Sequence, residues 1–238
     1  MPKLTKHQQR VAEVYDREKV YDINEAITVA QELKRKTFDE TVELHMRLNV
    51  DPRHADQQVR GTVSLPHGTG RTTRVVVFAE GESEKLASEA GADEVGGEAL
   101  AKRIKDGWMD FDAVVATQPM MRVVGRLGPV LGPRGLMPSP KAGTVVSPED
   151  VGEVVSELKA GRIEFRVDKT ANIHVPVGKA SFEAKQLSEN AATVIGAVVR
   201  ARPPAVKGQY VKSTVIATAM GPGLKIDLAS ALAVEAEE

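Results

Sequence analysis

The sequence predicts an α/β protein of two domains, in which one domain is interrupted by the other. Segments of alternating apolar and polar residues, 41–50 and 162–178, flank a middle part whose strands are continuously apolar. Alternation is typical of a strand with one solvated face, whereas a continuous apolar run is typical of a strand covered on both faces. The simplest arrangement is a discontinuous domain of residues 1–67 and 160–226, with residues 68–159 inserted between its halves.

The first flank is predicted to fold as two helices followed by two strands. A polar helix opens the chain, and apolar residues at helical spacing predict a second helix from about Ile23 to Lys36. TVELHMRLNV (41–50) alternates strictly, which predicts a half-exposed strand that Asp51-Pro52 ends. A further strand is predicted for VRGTVSL (59–65).

The middle part alternates strands with helices, as in a small parallel α/β unit. Strands are predicted at 74–81, near 92–95 and at 111–117, and helices at 83–91 and about 98–106. Ser147-Pro148-Glu149 is a helix-start signal, because proline suits the first helical position. Before that helix lies LGPVLGPRGLMPSPKAG (127–143), whose four glycines and four prolines predict a conformationally demanding loop.

The second flank returns to alternating strands and ends in an acidic tail. Strands are predicted at 162–168, 172–178 and 210–218, with a long helix over about 182–200. Residues 227–238 are rich in alanine and acids and contain no aromatic anchor, which predicts a disordered tail.

Composition excludes several classes of function. The chain contains no cysteine, which excludes disulfides, thiolate catalysis and cysteine-based zinc sites. No run approaches the 18 or so apolar residues of a membrane span, and the start lacks the apolar segment of a signal peptide. The histidines are scattered without ligand-like spacing, so we expect no metal and a cytoplasmic location without membrane contact.

The sequence contains few motifs that would indicate an enzyme, but an enzymatic function stays open as an alternative. The phosphate-loop pattern G-x-x-x-x-G-K-[ST] is absent, and HGTGRTT (67–73) precedes a strand instead of joining a strand to a helix. No nucleophile-elbow sequence occurs either. The alternatives that remain are a nucleotide-binding enzyme using the inserted domain, and a protein-binding module whose glycine-proline loop docks a partner.

The flanks carry the residue types that bind RNA. Without the tail they are net basic, whereas the middle part is net acidic. Phe38 follows Lys34-Arg35-Lys36, and STVIATAMGPG (213–223) ends a strand in Met220. Cations suit phosphates, flat or soft apolar groups suit unstacked bases, and hydroxyls suit 2′-OH groups. Basic residues also suit a helix C-terminus, so each segment alone has a structural explanation too.

The chain resembles bacterial ribosomal protein "L-one", the family that forms the protein part of the mobile side stalk of the large subunit. The resemblance covers Met1 to about Ile226 and is carried by RLGPVLGPRGLMPSPKAGTV, VRGTVSLPHG, DGWMDFDAVVATQPMM, KAGRIEFRVDKTANIHVPVGKASF and ATAMGP. It implies a discontinuous RNA-binding domain with a split, largely antiparallel sheet and helices, and an inserted Rossmann-like three-layer α/β domain.

The resemblance also implies the function. It implies binding to a folded junction of large-subunit ribosomal RNA, help in releasing deacylated tRNA from the exit site, and repression of its own operon by binding its own mRNA. A protein of this kind is expected to act without catalysis or cofactor and to be a monomer when it is off the ribosome.

The residues matching the family's RNA site are Phe38, Thr41, Ser213, Thr218, Met220 and Gly221, with Lys36, Arg166 and Lys169 nearby. Relatives often have Thr-Met-Gly where this chain has Ala219-Met220-Gly221, which removes a hydroxyl at that corner. In the basic stretch of the inserted domain, we expect Arg126, Arg134 and Lys141 to contact tRNA or the facing domain. The alternative for them is a conformationally demanding loop with no partner.

Overall fold

A computed structural model describes residues 5–35 and 37–233, and of residues 6–8 and 231–233 it describes only the backbone. The chain divides into two compact units. The first unit comprises Met1–Gly70 and Ile163–Glu238, and the second comprises Arg71–Arg162. Both chain crossings therefore lie three residues later than the boundaries that we predicted from the sequence.

The helices and strands follow one another in a simple order. The first flank contains α1 (Lys6–Val14), α2 (Ile23–Glu32), β1 (Thr41–Leu48) and β2 (Arg60–Ser64). The middle part contains β3 (Val75–Phe78), α3 (Glu82–Glu89), β4 (Glu94–Gly96), α4 (Glu98–Lys105), β5 (Ala113–Thr117), α5 (Met121–Val124), α6 (Gly128–Leu131), β6 (Val145–Val146) and α7 (Val151–Ala160). The second flank contains β7 (Arg162–Arg166), β8 (Asn172–Lys179), α8 (Ala184–Arg200), β9 (Val211–Thr218), β10 (Gly223–Ile226) and α9 (Leu228–Ala233).

The first unit is built on a four-stranded sheet with the order β10-β9-β1-β8. All three pairings are antiparallel, and β1 lies between the two strands from the second flank. Apolar residues of one sheet face share a core with α2 and α8, which explains the strict alternation of β1. The strands β2 and β7 pair with each other separately and contribute Val63 and Phe165 to the same core.

Side-chain hydrogen bonds fix the starts of the two core helices and the end of α2. Asp22 accepts a hydrogen bond from the Asn24 N–H before α2, and Glu183 forms a capping box with Gln186 before α8. We predicted that α2 would continue to Lys36, but it ends at Glu32. The N–H of Arg35 donates to the Glu40 side chain at 2.7 Å instead of continuing the helix, so a residue outside the helix terminates it.

The second unit is a parallel sheet with the order β4-β3-β5-β6. Val75 and Val77 of β3 pack with α3 and α7 on one face, whereas Val76 and Phe78 pack with α4 and the 121–131 segment on the other. Two cores on opposite sheet faces make this unit a three-layer α/β structure. The helix α7 begins at Val151, three residues after Pro148, because Ser147–Asp150 first forms a turn.

The glycine-proline segment differs from the predicted loop. Residues 121–134 form a chain of short helical turns, in which α5 and α6 alternate with 3₁₀ turns at Gly125–Leu127 and Gly132–Arg134. Val124, Leu127 and Leu131 are buried beneath these turns at helical spacing. The prolines stand at the starts of the turns, where they favour helix initiation. This apolar spacing was present in the sequence, but the density of glycine and proline concealed it.

The acidic tail also differs from the prediction of disorder. Leu228–Ala233 forms the helix α9, and Leu228 packs against the core of the first unit. The Ser230 N–H donates to the Asp227 carboxylate at 3.1 Å, and the Ser230 hydroxyl donates to Asp22. These side-chain contacts supply the anchor that composition alone did not reveal. Residues 234–238 lie outside the described residues.

Candidate nucleic-acid interface

The four-stranded sheet of the first unit has one buried and one solvated face. The solvated face, here named the outer face, is exposed or half-exposed along all four strands. It is formed by Thr41, Glu43, His45 and Arg47 of β1, Asn172, His174 and Pro176 of β8, Ser213, Val215 and Ala217 of β9, and Lys225 of β10. From Thr41 to Arg47 the face is about 20 Å long, at about 3.4 Å per residue.

Two exposed apolar side chains mark one end of the outer face. Phe38 is 47% exposed just before β1, and Met220 is 50% exposed just after β9. Both side chains are therefore accessible to a ligand at this end of the face. The Ala219 N–H donates to the carbonyl of Thr41 at 3.0 Å, which joins the two segments that carry these side chains.

Phe38, Met220 and the segments that carry them form a corner of the outer face, and the buried carboxylate of Glu40 hydrogen-bonds to both segments. Glu40 is buried, and it accepts hydrogen bonds from the backbone N–H of Arg35 at 2.7 Å and of Met220 at 3.1 Å. Burial raises the pKa of Glu40, but the hydrogen bonds from the backbone N–H groups of Arg35 and Met220 oppose it, and the pKa lies below its usual value. The corner is therefore organised around a buried charge before any ligand arrives.

Thr218 and Gly221 form the tightest part of the corner. Thr218 is buried on the core side of β9, so its side chain is not on the outer face. A Cβ atom added to Gly221 would lie 2.3 Å from the Thr218 Oγ1, far closer than a van der Waals contact. A side chain at position 221 would therefore force Thr218 to shift, and the Thr218 carbonyl accepts a hydrogen bond from the Gly221 N–H across the Met220 turn.

Thr41 is paired with a cation that the sequence reasoning missed. The Lys179 Nζ donates to the Thr41 Oγ1 at 3.0 Å, because β8 brings Lys179 opposite Thr41. Nothing in the local sequence around Lys179 indicates this pairing, since it depends on the register of two strands far apart in the chain.

The other predicted residues lie away from this corner or outside the described residues. Ser213 faces Arg47 across β9 and β1, and Lys169 is exposed in the turn that leads into β8. Arg166 is exposed at the end of β7, which belongs to the separate two-stranded sheet. The structure thus brings Phe38, Thr41, Thr218, Met220 and Gly221 together at one end and places Ser213 at the other. Lys36 lies outside the described residues.

The turn that presents Lys169 is held by its own aspartate. Asp168 accepts hydrogen bonds from the Thr170 side chain and from the N–H groups of Thr170 and Asn172, which lower the pKa of Asp168. Ala171 has a φ of 64°, a left-handed conformation that is unfavourable for a residue with a Cβ. Strain of this kind persists where surrounding contacts require it, and it often accompanies functional surfaces.

The candidate cations of the second unit lie on its chain of helical turns. Arg126 and Arg134 belong to the 3₁₀ turns, and Lys141 belongs to a further turn at Pro140–Ala142. All three side chains are exposed, and no acidic residue occurs between Asp112 and Glu149. They form a basic segment in a unit that is otherwise rich in acids.

Two kinds of site find no support in the part of the chain that the structure describes. It contains no group of three or more His, Asp or Glu side chains placed to hold a metal ion. Within the same residues, no helix combines the length and the apolar character that a membrane span requires.

Comparison with known proteins decides the family. Residues 29–222 match the ribosomal protein L1p/L10e family. The chain belongs to this family. It is also similar to a protein of Thermosipho melanesiensis named large ribosomal subunit protein uL1. The two sequences are 52% identical over 231 residues, which cover 97% of this chain and 99% of that relative.

Family membership confirms the resemblance that the motifs indicated. A member of the L1p/L10e family is a ribosomal protein and not an enzyme, so the alternative of a nucleotide-dependent enzyme in the inserted domain falls away. The mixed α/β architecture in two units agrees with the fold class predicted from the sequence. The matched range includes the Phe38–Met220 corner, the turn with Lys169 and the basic segment of the second unit.

Proposed function

We propose that the chain is a constituent of the large ribosomal subunit and that its first unit is the RNA-binding domain. It binds a folded junction of large-subunit ribosomal RNA through the outer face and so forms the protein part of the mobile side stalk. The observation that carries this proposal is the corner of Phe38 and Met220, two exposed apolar side chains fixed by the buried Glu40.

The outer face has the chemistry of an RNA platform. Phe38 offers a ring for stacking, and Met220 offers a soft surface for an unstacked base. Thr41 and Ser213 offer hydroxyls for 2′-OH groups, while Arg47 and Lys169 offer cations for phosphates.

The dimensions of the outer face favour a folded RNA over a single nucleotide. A face about 20 Å long, with an apolar corner at one end and a basic turn at the other, spans several nucleotides. A ligand whose shape is already fixed contacts both ends at a smaller cost in conformational entropy. An RNA junction has this advantage over a flexible single strand.

A further element of the proposal concerns the two other RNAs. The protein's own mRNA binds the same outer face by presenting a similar junction, and in this way the protein represses its own operon. Exit-site tRNA meets the basic segment of the second unit through Arg126, Arg134 and Lys141, which assists release of deacylated tRNA. These cations are exposed and have no acidic neighbours in the sequence between Asp112 and Glu149. The protein acts as a monomer away from the ribosome and on the ribosome in the cytoplasm.

Filter binding with a transcript of the stalk junction tests the first part of the proposal. Affinity should fall with rising salt, and Lys169→Ala should reduce the slope of log K against log salt by about one unit, because one phosphate contact is lost. Lys85→Ala removes the same charge from an exposed position in α3 and should leave the slope unchanged. Equal slopes for wild type and Lys169→Ala would remove Lys169 from the interface, and no binding by the wild type would refute the function itself.

Charge reversal separates the role of the second unit. Arg134→Glu combined with Lys141→Glu should preserve binding of the junction transcript and slow tRNA release from ribosomes carrying the variant. If both properties stay at wild-type values, the basic segment is a structural feature without an RNA partner.

Competition between the mRNA leader and the junction transcript for one binding site tests the repressor role, and simultaneous binding of both RNAs would contradict it.

A further inference from the structure

Two histidines face each other at the centre of the outer face. His45 of β1 lies directly opposite His174 of β8 in the antiparallel register. Their Nδ1 atoms are 2.8 Å apart, and the rings meet edge to face with centroids 4.9 Å apart. The side chains are 29% exposed at His45 and 53% exposed at His174, so a ligand on the outer face can reach both.

A contact of this length between two ring nitrogens fixes the arrangement of protons. A neutral histidine carries one N–H, so one Nδ1 must donate and the other must accept. In the neutral pair, the histidine that donates through Nδ1 therefore has a bare Nε2, whereas its partner carries its proton on Nε2. Adding one proton to the bare Nε2 gives a cation with two outward N–H donors and keeps the Nδ1 contact. A second proton would have to break that contact.

Among the residues that the structure describes, none provides a partner at hydrogen-bonding distance to the outward Nε2 atoms. The Nε2 of His45 lies 3.8 Å from the Glu43 carboxylate, and the Nε2 of His174 lies 3.7 Å from the Asp168 carboxylate. Both distances exceed those of a hydrogen bond. The two nitrogens therefore stand ready for an acceptor that a ligand brings.

The charged groups around the pair decide its protonation state. Burial, and then the neighbouring His174, lower the pKa of His45, while Glu43 opposes them. Asp168 faces His174 from the turn before β8. On the same face, Arg47 lies two residues along β1, and Lys225 of β10 lies opposite Val215, the β9 neighbour of His45. Burial and the neighbouring His174 therefore favour the neutral form of His45 when no ligand is bound.

We propose that His45 and His174 form a phosphate-binding pair that takes up one proton when RNA binds the outer face. This inference rests on the proposed function, because the bound phosphate is that of the junction RNA. An RNA phosphate at the two Nε2 atoms provides the negative charge that the protonated pair needs. RNA binding and protonation then favour each other, so affinity rises as the pH falls through the range in which histidine titrates.

The test is the pH dependence of binding between pH 6.0 and 8.0 at constant ionic strength. The probe is a stalk-junction transcript whose 5′ phosphate has been removed, since a terminal phosphate titrates near pH 6. One proton limits the change to tenfold per pH unit, and we expect wild-type affinity to be about three- to tenfold higher at pH 6.0 than at pH 8.0. His45→Gln and His174→Gln should each abolish this dependence, so that the affinity of each variant is the same at pH 6.0 as at pH 8.0.

Two controls keep the outcome interpretable. His54→Gln removes an exposed histidine elsewhere in the first unit and should retain the wild-type pH dependence. Calorimetric titration in two buffers of different protonation enthalpy should register proton uptake by the wild type near pH 6.5 and none by His174→Gln. A wild-type affinity that does not change with pH, or a dependence that survives in both glutamine variants, overturns the inference. Failure of the wild type to bind the transcript at any pH would instead refute the proposed function.

Discussion

Replacing Glu40 with glutamine tests whether the corner is organised before RNA binds. The carboxylate accepts hydrogen bonds from two backbone N–H groups, those of Arg35 and Met220. A glutamine oxygen can accept only one of these well, and its NH₂ group then faces the other N–H donor. A hydrogen bond to a charged group contributes about 1.5–3 kcal/mol, so Glu40→Gln should lower the free energy of unfolding by about 2 kcal/mol.

The same substitution should weaken RNA binding beyond its effect on stability. Once the Met220 turn and the segment before β1 lose their shared anchor, RNA must order them on binding. Ordering one residue costs about 1–2 kcal/mol, which corresponds to a loss of affinity of about five- to thirtyfold. Urea unfolding and filter binding at a temperature where the variant is folded measure the two effects separately. Lower stability with wild-type affinity would show that Glu40 supports the fold alone and would refute the reasoning.

A matched variant and the pH dependence sharpen this prediction. Glu94→Gln makes the same chemical change in an exposed ion pair with Arg103 and should change the free energy of unfolding by less than about 0.5 kcal/mol. Because the folded pKa of Glu40 is lowered, its contribution is complete above the unfolded pKa of about 4.3 and is lost as the pH falls through the folded value. The difference between wild type and Glu40→Gln should therefore shrink below about pH 4.

Three further predictions concern single side chains. Phe38→Ala should cost about 1–3 kcal/mol of RNA binding with little effect on unfolding, because the ring is half exposed; wild-type affinity in filter binding would contradict this. Gly221→Ala should lower the free energy of unfolding by about 1–3 kcal/mol, because the added methyl group would contact Thr218. Gly128→Ala has open space around it and should not lower the stability. Equal urea midpoints for the two variants would contradict the packing argument. Burial raises the pKa of Tyr210 to about 12, and its hydroxyl makes no hydrogen bond to any residue that the structure describes. Tyr210→Phe should therefore unfold at the same or a higher urea concentration, and a loss of stability above about 1 kcal/mol would disprove this.

The helices and strands could be predicted where the spacing of apolar residues along the sequence alone determines them. The alternation of β1 and the apolar run of β3 specify strands with one or two covered faces, and the structure has both. The end of α2 could not be predicted, because it depends on Glu40, a residue eight positions beyond the helix. The helical turns of 121–134 are a different case, because their glycines and prolines are typical of loops, whereas the buried Leu127 and Leu131 follow a helical spacing.

The candidate site was predictable in its residue types but not in its geometry. Phe38 and Met220 stand out in sequence, as exposed apolar residues beside strand ends. Lys179 and the pairing of His45 with His174 depend on the register between β1 and β8, which more than a hundred residues of chain separate. Thr218 illustrates the opposite case, because the structure places this predicted RNA contact in the core, where it supports its neighbours.

The methyl spectrum of methionine-labelled protein tests the central claim most directly. The chain has seven methionines, among them Met220 at the corner of the outer face, Met46 in the core beneath it, and Met109 and Met121 in the second unit. On titration with the stalk-junction transcript, the Met220 methyl resonance should shift or broaden while those of Met109 and Met121 stay in place. A spectrum in which the second-unit methyls respond and Met220 does not would contradict RNA binding at the outer face.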